Sequence, residues 1–224
     1  MQFVAWERPS DSCLALRAVG RYIDQLTKDR VAVENRLTAA AATHSTPGFI
    51  LKALQAQVDD LEERTAQARE EAARIVESDS DLQDAFSALI TIPGIAARSA
   101  IHLMSEFVVL PTDLSPNELV AFAGLDPRPR NSGRRTPRRS ISKHGNSRIR
   151  GALFLPAMAT ARFSPAMKDW HEKLLARGKP KMVTLVAVMR RLLRISWVLY
   201  LRRRPWDEQA VRPQAARHKS AAAK

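Results

Sequence analysis

A single cysteine, Cys13, among 224 residues excludes an internal disulfide. The five histidines are scattered, and no Cys/His group has the spacing of zinc ligands. Together these fit a reducing, cytoplasmic setting with no metal bound by this chain. The opening MQFVAWERPSDS carries charges where a secretory signal needs an apolar run, so no such signal is predicted. Long uncharged apolar runs are missing too. The best candidate for a membrane span, Met182 to Leu201, is interrupted by Arg190, Arg191 and Arg194 and reads as a core helix. Strand-like alternation of apolar and polar residues is absent, which leaves an all-α chain.

Acidic residues are missing from one stretch in particular. Arg128 to Arg150 holds nine Lys/Arg residues (Arg128, Arg130, Arg134, Arg135, Arg138, Arg139, Lys143, Arg148 and Arg150) and no Asp or Glu. It shows no apolar periodicity until Ile149, so it must lie on a surface or in a cleft. Guanidinium groups this dense repel one another unless a polyanion sits among them, and a nucleic-acid backbone fits best. The chain is net +13, but unevenly so. Residues 1–90 hold ten basic and fifteen acidic residues, whereas residues 91–224 hold twenty-six and eight. The polyanion therefore meets the C-terminal portion, and the N-terminal portion is a scaffold or partner surface.

Apolar spacing of three and four residues predicts a helix from Leu14 to Thr43, with Leu16, Val19, Ile23, Leu26, Arg30, Val33 and Leu37 on one stripe. His44-Ser45-Thr46-Pro47-Gly48 breaks it. A second helix, about Phe49 to Glu77, carries Leu51, Leu54, Val58, Leu61, Thr65, Ala68, Ala72 and Ile75 on one face and alternating charges on the other. This is a long helical hairpin or coiled coil, and residues 14–77 are the expected route to homo-oligomers. Further helices are expected at 81–90, 97–107, about 115–123 (Ser115 at the N-cap, Pro116 next, Glu118 at N3), 147–162, 165–175 and 181–203. The Ala-, Arg- and Lys-rich stretch from Pro205 is expected to be disordered.

Three local motifs bear on chemistry. Ile92-Pro93-Gly94-Ile95 between two helices has the shape of a helix-hairpin-helix, in which Gly94 permits the reversal and amides of the next helix hold a phosphate. An ordinary helix–helix turn looks the same in sequence. Ser132 sits in Arg130-Asn131-Ser132-Gly133-Arg134-Arg135, where arginines could stabilise charge on an attacked phosphorus. A serine in such a loop is more commonly a phosphate contact or linker residue, and the same holds for Ser140, Ser142 and Ser147. Lys143-His144-Gly145-Asn146-Ser147-Arg148-Ile149-Arg150 reads as a turn with Asn146 or Ser147 as cap, feeding a helix whose Arg148 and Arg150 flank a bound backbone.

Four blocks together resemble a known family: Thr91-Ile92-Pro93-Gly94-Ile95, Ala121-Phe122-Ala123-Gly124-Leu125-Asp126-Pro127-Arg128, Asn131-Ser132-Gly133, and Ile141 to Arg150. Their order and spacing are similar to the C-terminal domain of the insertion sequence 110/116/902 transposases, over about residues 85–175. Glu34-Asn35-Arg36-Leu37 also resembles the helix that closes the family's N-terminal RuvC-like domain. The resemblance implies a DNA transposase acting by serine-dependent strand transfer, with a divalent metal on an RuvC-like acidic cluster and a serine nucleophile in the C-terminal domain. It further implies oligomers and an element-encoded guide RNA. Carried over by motif, the nucleophile is Ser132.

On this basis residues 1–48 are expected to be a remnant closing helix of the RuvC-like domain, and 49–84 a coiled-coil helix. Residues 85–204 are expected to form the transposase C-terminal domain, and 205–224 a basic tail. The acidic residues of the RuvC-like domain are not matched in this chain, which points to an N-terminally truncated protein; the metal is expected only in that missing domain. The expected DNA contacts are Gly94, Arg128, Arg130, Arg134, Arg135, Arg138, Arg139, Lys143, Asn146, Arg148 and Arg150. Tyr22 and Tyr200 lie in helical stripes away from the basic segment, which argues against tyrosine recombination. The alternatives are a non-catalytic helix-hairpin-helix protein that binds nucleic acid, or a basic RNA-binding protein assembled by its coiled coil.

Overall fold

A computed structural model describes residues 8–128 and 140–211. The chain divides into two compact units, Met1–Gln83 and Asp84–Lys224.

The first unit is built from α1 (Asp11–Ala41) and α2 (Gly48–Ser78), packed along one another as an antiparallel pair. Ser10 caps α1 by accepting from the Cys13 amide at 3.2 Å. Leu16, Ile23, Leu26 and Val33 of α1 are buried, as are Val58, Thr65, Ala68 and Ala72 of α2. The stripe drifts at the end of α2, where Val76 rather than the expected Ile75 is buried. Steps of three and four both stay on one face, and here the four-residue step from Ala72 lands deepest, leaving Ile75 half-buried. Arg30 of α1 pairs with Glu34 one turn on and reaches Glu62 of α2 at 3.5 Å, which ties the two helices at mid-length. Tyr22, expected in the stripe, is about half exposed.

The second unit holds α4 (Ala97–Phe107), α5 (Pro116–Phe122), α6 (Ser147–Phe163), α7 (Pro165–Ala176), α8 (Lys181–Arg202) and a short α9 (Glu208–Val211); α3 (Ser80–Ile90) runs across the division. Helix α6 lies centrally, packing on α4, α7 and α8, while α5 packs on α8 and α9 on α7. The core centres on Trp197, whose ring meets Phe107 edge-on at 5.2 Å and stacks on Tyr200 at 5.6 Å. Its indole N–H donates to the Leu114 carbonyl at 3.0 Å, so the large side chain is buried with its polar atom satisfied. The fold is all-α. The extended pairing among the described residues is a two-residue antiparallel ladder, β1 (Pro127–Arg128) with β2 (Ser140–Ile141), which is too short to leave an alternation in the sequence.

Residues 205–211, expected as the start of a disordered tail, are ordered instead. The Trp206 amide donates to Thr91 Oγ1 at 2.7 Å and the Trp206 indole to Glu208 at 2.8 Å. Glu208 also accepts from the Ala166 amide at 2.6 Å, placing a carboxylate at the N-terminus of α7 where free amides favour it. No helix among the described residues is long and apolar enough to cross a membrane.

Candidate nucleic-acid interface

The interface is framed where α5 stops. Ser115 and Glu118 form a reciprocal capping box at its start, and those hydrogen bonds from Ser115 hold the Glu118 carboxyl below its ordinary range. At its end Gly124 takes φ +64°, with Leu125 N–H bonded to Val120 O at 3.0 Å and Gly124 N–H to Ala121 O at 2.8 Å. This is a Schellman ending, and it turns the chain out towards Asp126 and the ladder.

The returning strand is fastened to the same ending. Ser142 N–H donates to Asp126 O at 2.9 Å, Lys143 N–H to Gly124 O at 3.0 Å and Asn146 N–H to Phe122 O at 2.8 Å. The Ser142 hydroxyl donates to Asp126 Oδ1. Gly145 has φ +142°, and a Cβ there would lie 2.2 Å from the Phe122 carbonyl oxygen, so only glycine fits. Lys143 also has a left-handed backbone, φ 55°, and its side chain is exposed. The basic segment thus leaves and re-enters the fold at one fixed point.

Asn146 is the cap of α6. Its Oδ1 accepts from the Arg148 amide at 2.9 Å and the Ile149 amide at 3.3 Å, while its Nδ2 donates to Glu106 Oε2 at 2.6 Å. Glu106 is buried, and its place in α4 links that helix to the start of α6. Arg150 turns Nη1 inward onto the Ala123 carbonyl at 2.8 Å, the cation meeting the carbonyl end of α5. Both are among the residues expected to contact DNA, and the groups named here hold the turn in shape.

Gly94 is likewise engaged. At φ +94° its missing Cβ leaves room for α6, with Thr160 N 2.7 Å from where a Cβ would stand. Thr160 Oγ1 donates to Pro93 O at 2.6 Å. Helix α4 takes α6, not α3, as its main packing partner, so this turn is a seat for α6; Ala97 and Arg98 at the start of α4 remain exposed. The remaining expected site residues, Arg130, Ser132, Arg134, Arg135, Arg138 and Arg139, lie outside the described residues, and of Arg128 only the backbone is described.

Three residues that sequence reasoning did not assign to the site stand around this root: Asp126, Arg190 and Arg194. Arg194 Nη2 of α8 donates to Asn117 Oδ1 of α5 at 2.7 Å. Burial lowers the pKa of Arg190, repulsion from Arg194 lowers it further, and the Asp126 carboxylate opposes both. Arginines on a helix otherwise apolar were the available signal. Among the described residues no group of three His, Cys, Asp or Glu side chains could hold a metal ion.

Residues 87–172 match the Transposase IS116/IS110/IS902 family. That segment is similar to the domain that defines this family. A pilin gene-inverting protein of Moraxella bovis is 32% identical over 139 residues, covering 61% of this chain and 43% of that protein. The pilin gene-inverting protein of Moraxella lacunata is 34% identical over 126 residues, 55% of this chain and 39% of its own length. A probable family 20 transposase of Pseudomonas aeruginosa is 27% identical over 184 residues, 78% of this chain and 53% of its own. The chain therefore spans about half or less of the length of these relatives. The matched segment contains α4, α5, the ladder and α6 entire, so the root of the basic segment lies within it, while Arg190 and Arg194 lie beyond it on α8.

Proposed function

We propose that this chain acts in recombination of an insertion element, binding DNA through residues 128–150 and supplying Ser132 as nucleophile for strand transfer. The observation that carries the reading is the anchoring of the Arg-rich segment: both its ends are pinned by Gly124, Asp126, Ser142 and Gly145 within the domain shared with the transposase family. A flexible charge tail needs no such fixed root; a loop that must present a serine to one phosphate does. In the proposed step Ser132 Oγ forms a bond to phosphorus and loses its proton to a base. The bond from phosphorus to the leaving strand's oxygen breaks, and that oxygen leaves as a hydroxyl once protonated. Neighbouring arginines offset the charge that develops at phosphorus. Names among the relatives, pilin gene inversion and transposition, support rearrangement of DNA as the outcome. An element-encoded guide RNA and homo-oligomers built through residues 14–77 belong to the same proposal.

The test is a chimera in which residues 87–172 of this chain replace the matching segment of a full-length relative. Strand exchange and a protein–DNA covalent product are expected from it, and Ser132→Ala should abolish both while DNA affinity stays within a few-fold, since about one hydrogen bond is lost. Exchange at the parental rate in Ser132→Ala would remove the serine from the mechanism. Exchange retained in Ser132→Ala but lost, with its covalent product, in Ser147→Ala would move the nucleophile within the segment.

A further inference from the structure

Helix α8 carries Arg190 and Arg194 four residues apart, on one face and one turn from each other. Both are half-buried, and the Nε of each is shielded from solvent without a hydrogen-bond partner among the described residues. Arg194 reaches Asn117 through Nη2, a neutral partner. The carboxylate that acts on Arg190 is Asp126, which already accepts the Ser142 hydroxyl. Two guanidiniums one turn apart repel, and partial burial removes the water that would screen them. Against one carboxylate the pair keeps an excess positive charge and unused donors. Helix α8 packs on α5, Arg194 bonds Asn117 of that helix, and Asp126, whose carboxylate acts on Arg190, immediately precedes the ladder from which the basic segment departs.

We propose that Arg190 and Arg194 together seat one backbone phosphate of the nucleic acid bound by the basic segment, with Asp126 as the internal counter-ion that this phosphate displaces. A phosphodiester offers two non-bridging oxygens to the terminal guanidinium donors, and it supplies a negative charge against the pair. The site extends the interface from residues 128–150 onto α8, so that the backbone is gripped by a preformed helix face as well as by the loop. This inference rests on the nucleic-acid reading above and adds to it a contact outside the basic segment.

Binding of a short fluorescent DNA duplex to the full chain, titrated with KCl, tests the seat, with circular dichroism checking that each variant is folded. Arg190→Gln with Arg194→Gln should weaken binding and flatten the log–log salt slope by about one unit, the loss of one phosphate contact. Asp126→Asn keeps an oxygen for Ser142 but removes the competing charge, and it should bind several-fold more tightly at low salt. A folded double variant with the wild-type slope overturns the proposal, as does an Asp126→Asn variant that binds no better than wild type. Should the double variant fail to fold, Asp126→Asn decides alone. If the loop substitutions Arg134→Ala, Arg135→Ala, Arg138→Ala and Arg139→Ala flatten the slope but the α8 pair does not, only this inference falls. A wild-type chain that ignores the duplex brings down both.

Discussion

The two units are held together in different ways. In the helical pair the buried face is apolar almost throughout, Thr65 being the buried polar residue among those described, and its hydroxyl is satisfied within its own helix by Leu61 O at 2.6 Å. In the second unit Glu106, Thr160, Ser164, Thr184 and Ser196 are buried, and hydrogen bonds from several of them join segments far apart in sequence, such as Thr160 to Pro93 and Ser164 to Glu208. Apolar burial is non-directional and tolerates a slip such as Ile75 for Val76. Directional bonds between distant segments do not, and two of them, Ser142 to Asp126 and Asn146 to Glu106, fasten the root of the basic segment. The pair is built to adhere; the second unit is built to position.

The largest effect that would sharpen this contrast is truncation of Trp197. Its aromatic cluster and its bond to Leu114 O both vanish in Trp197→Ala, and a loss of roughly 3–5 kcal/mol in denaturant unfolding is expected. Leu16→Ala in the helical pair should cost about 2–4 kcal/mol, with no effect on where a nucleic acid binds. Gly145→Ala comes next. The Cβ must push the Phe122 carbonyl aside and the left-handed backbone adds strain, so about 1–3 kcal/mol is expected, with weakened nucleic-acid binding from the displaced segment. A melting temperature unchanged in Gly145→Ala would show that the root is not fixed.

Smaller still is the α5 cap. Glu118 has a lowered folded pKa, so its contribution to stability is present above the unfolded carboxyl value and is lost as pH falls through the folded one. Ser115→Ala should lower the melting temperature slightly near neutral pH, and the difference from wild type should shrink in acid; a constant difference would mean that the carboxylate is not involved.

Much of the helix content follows from periodicity and caps. Ser115 and Glu118 mark the start of α5 because each side chain bonds the other's amide three residues away, Pro116 because its fixed φ suits the first helical position, and Gly124 marks the end because a left-handed residue is needed there. The helical pair is equally plain in its stripe. The root of the basic segment was not readable in the same way. Asn146 meets Glu106 across forty residues, Ser142 meets Asp126 across sixteen, and Arg190 approaches Asp126 from another helix. Local spacing carries no trace of such meetings. Counting arginines treats Arg150 and Arg134 alike, although Arg150 turns a donor inward onto the end of α5. Residues 205–211 misled for a related reason: a polar, Pro-led composition suggests disorder, but one carboxylate, Glu208, finds the free amides of α7.

The central claim is that the second unit, through its basic segment, binds a nucleic-acid backbone while the helical pair does not. Its most direct test is the salt dependence of duplex binding by the intact chain and by the fourfold variant Arg134→Ala, Arg135→Ala, Arg138→Ala and Arg139→Ala. The account predicts a steep log–log slope for the intact chain and one flatter by roughly one unit per lost phosphate contact in the variant. An unchanged slope in a folded variant would contradict it.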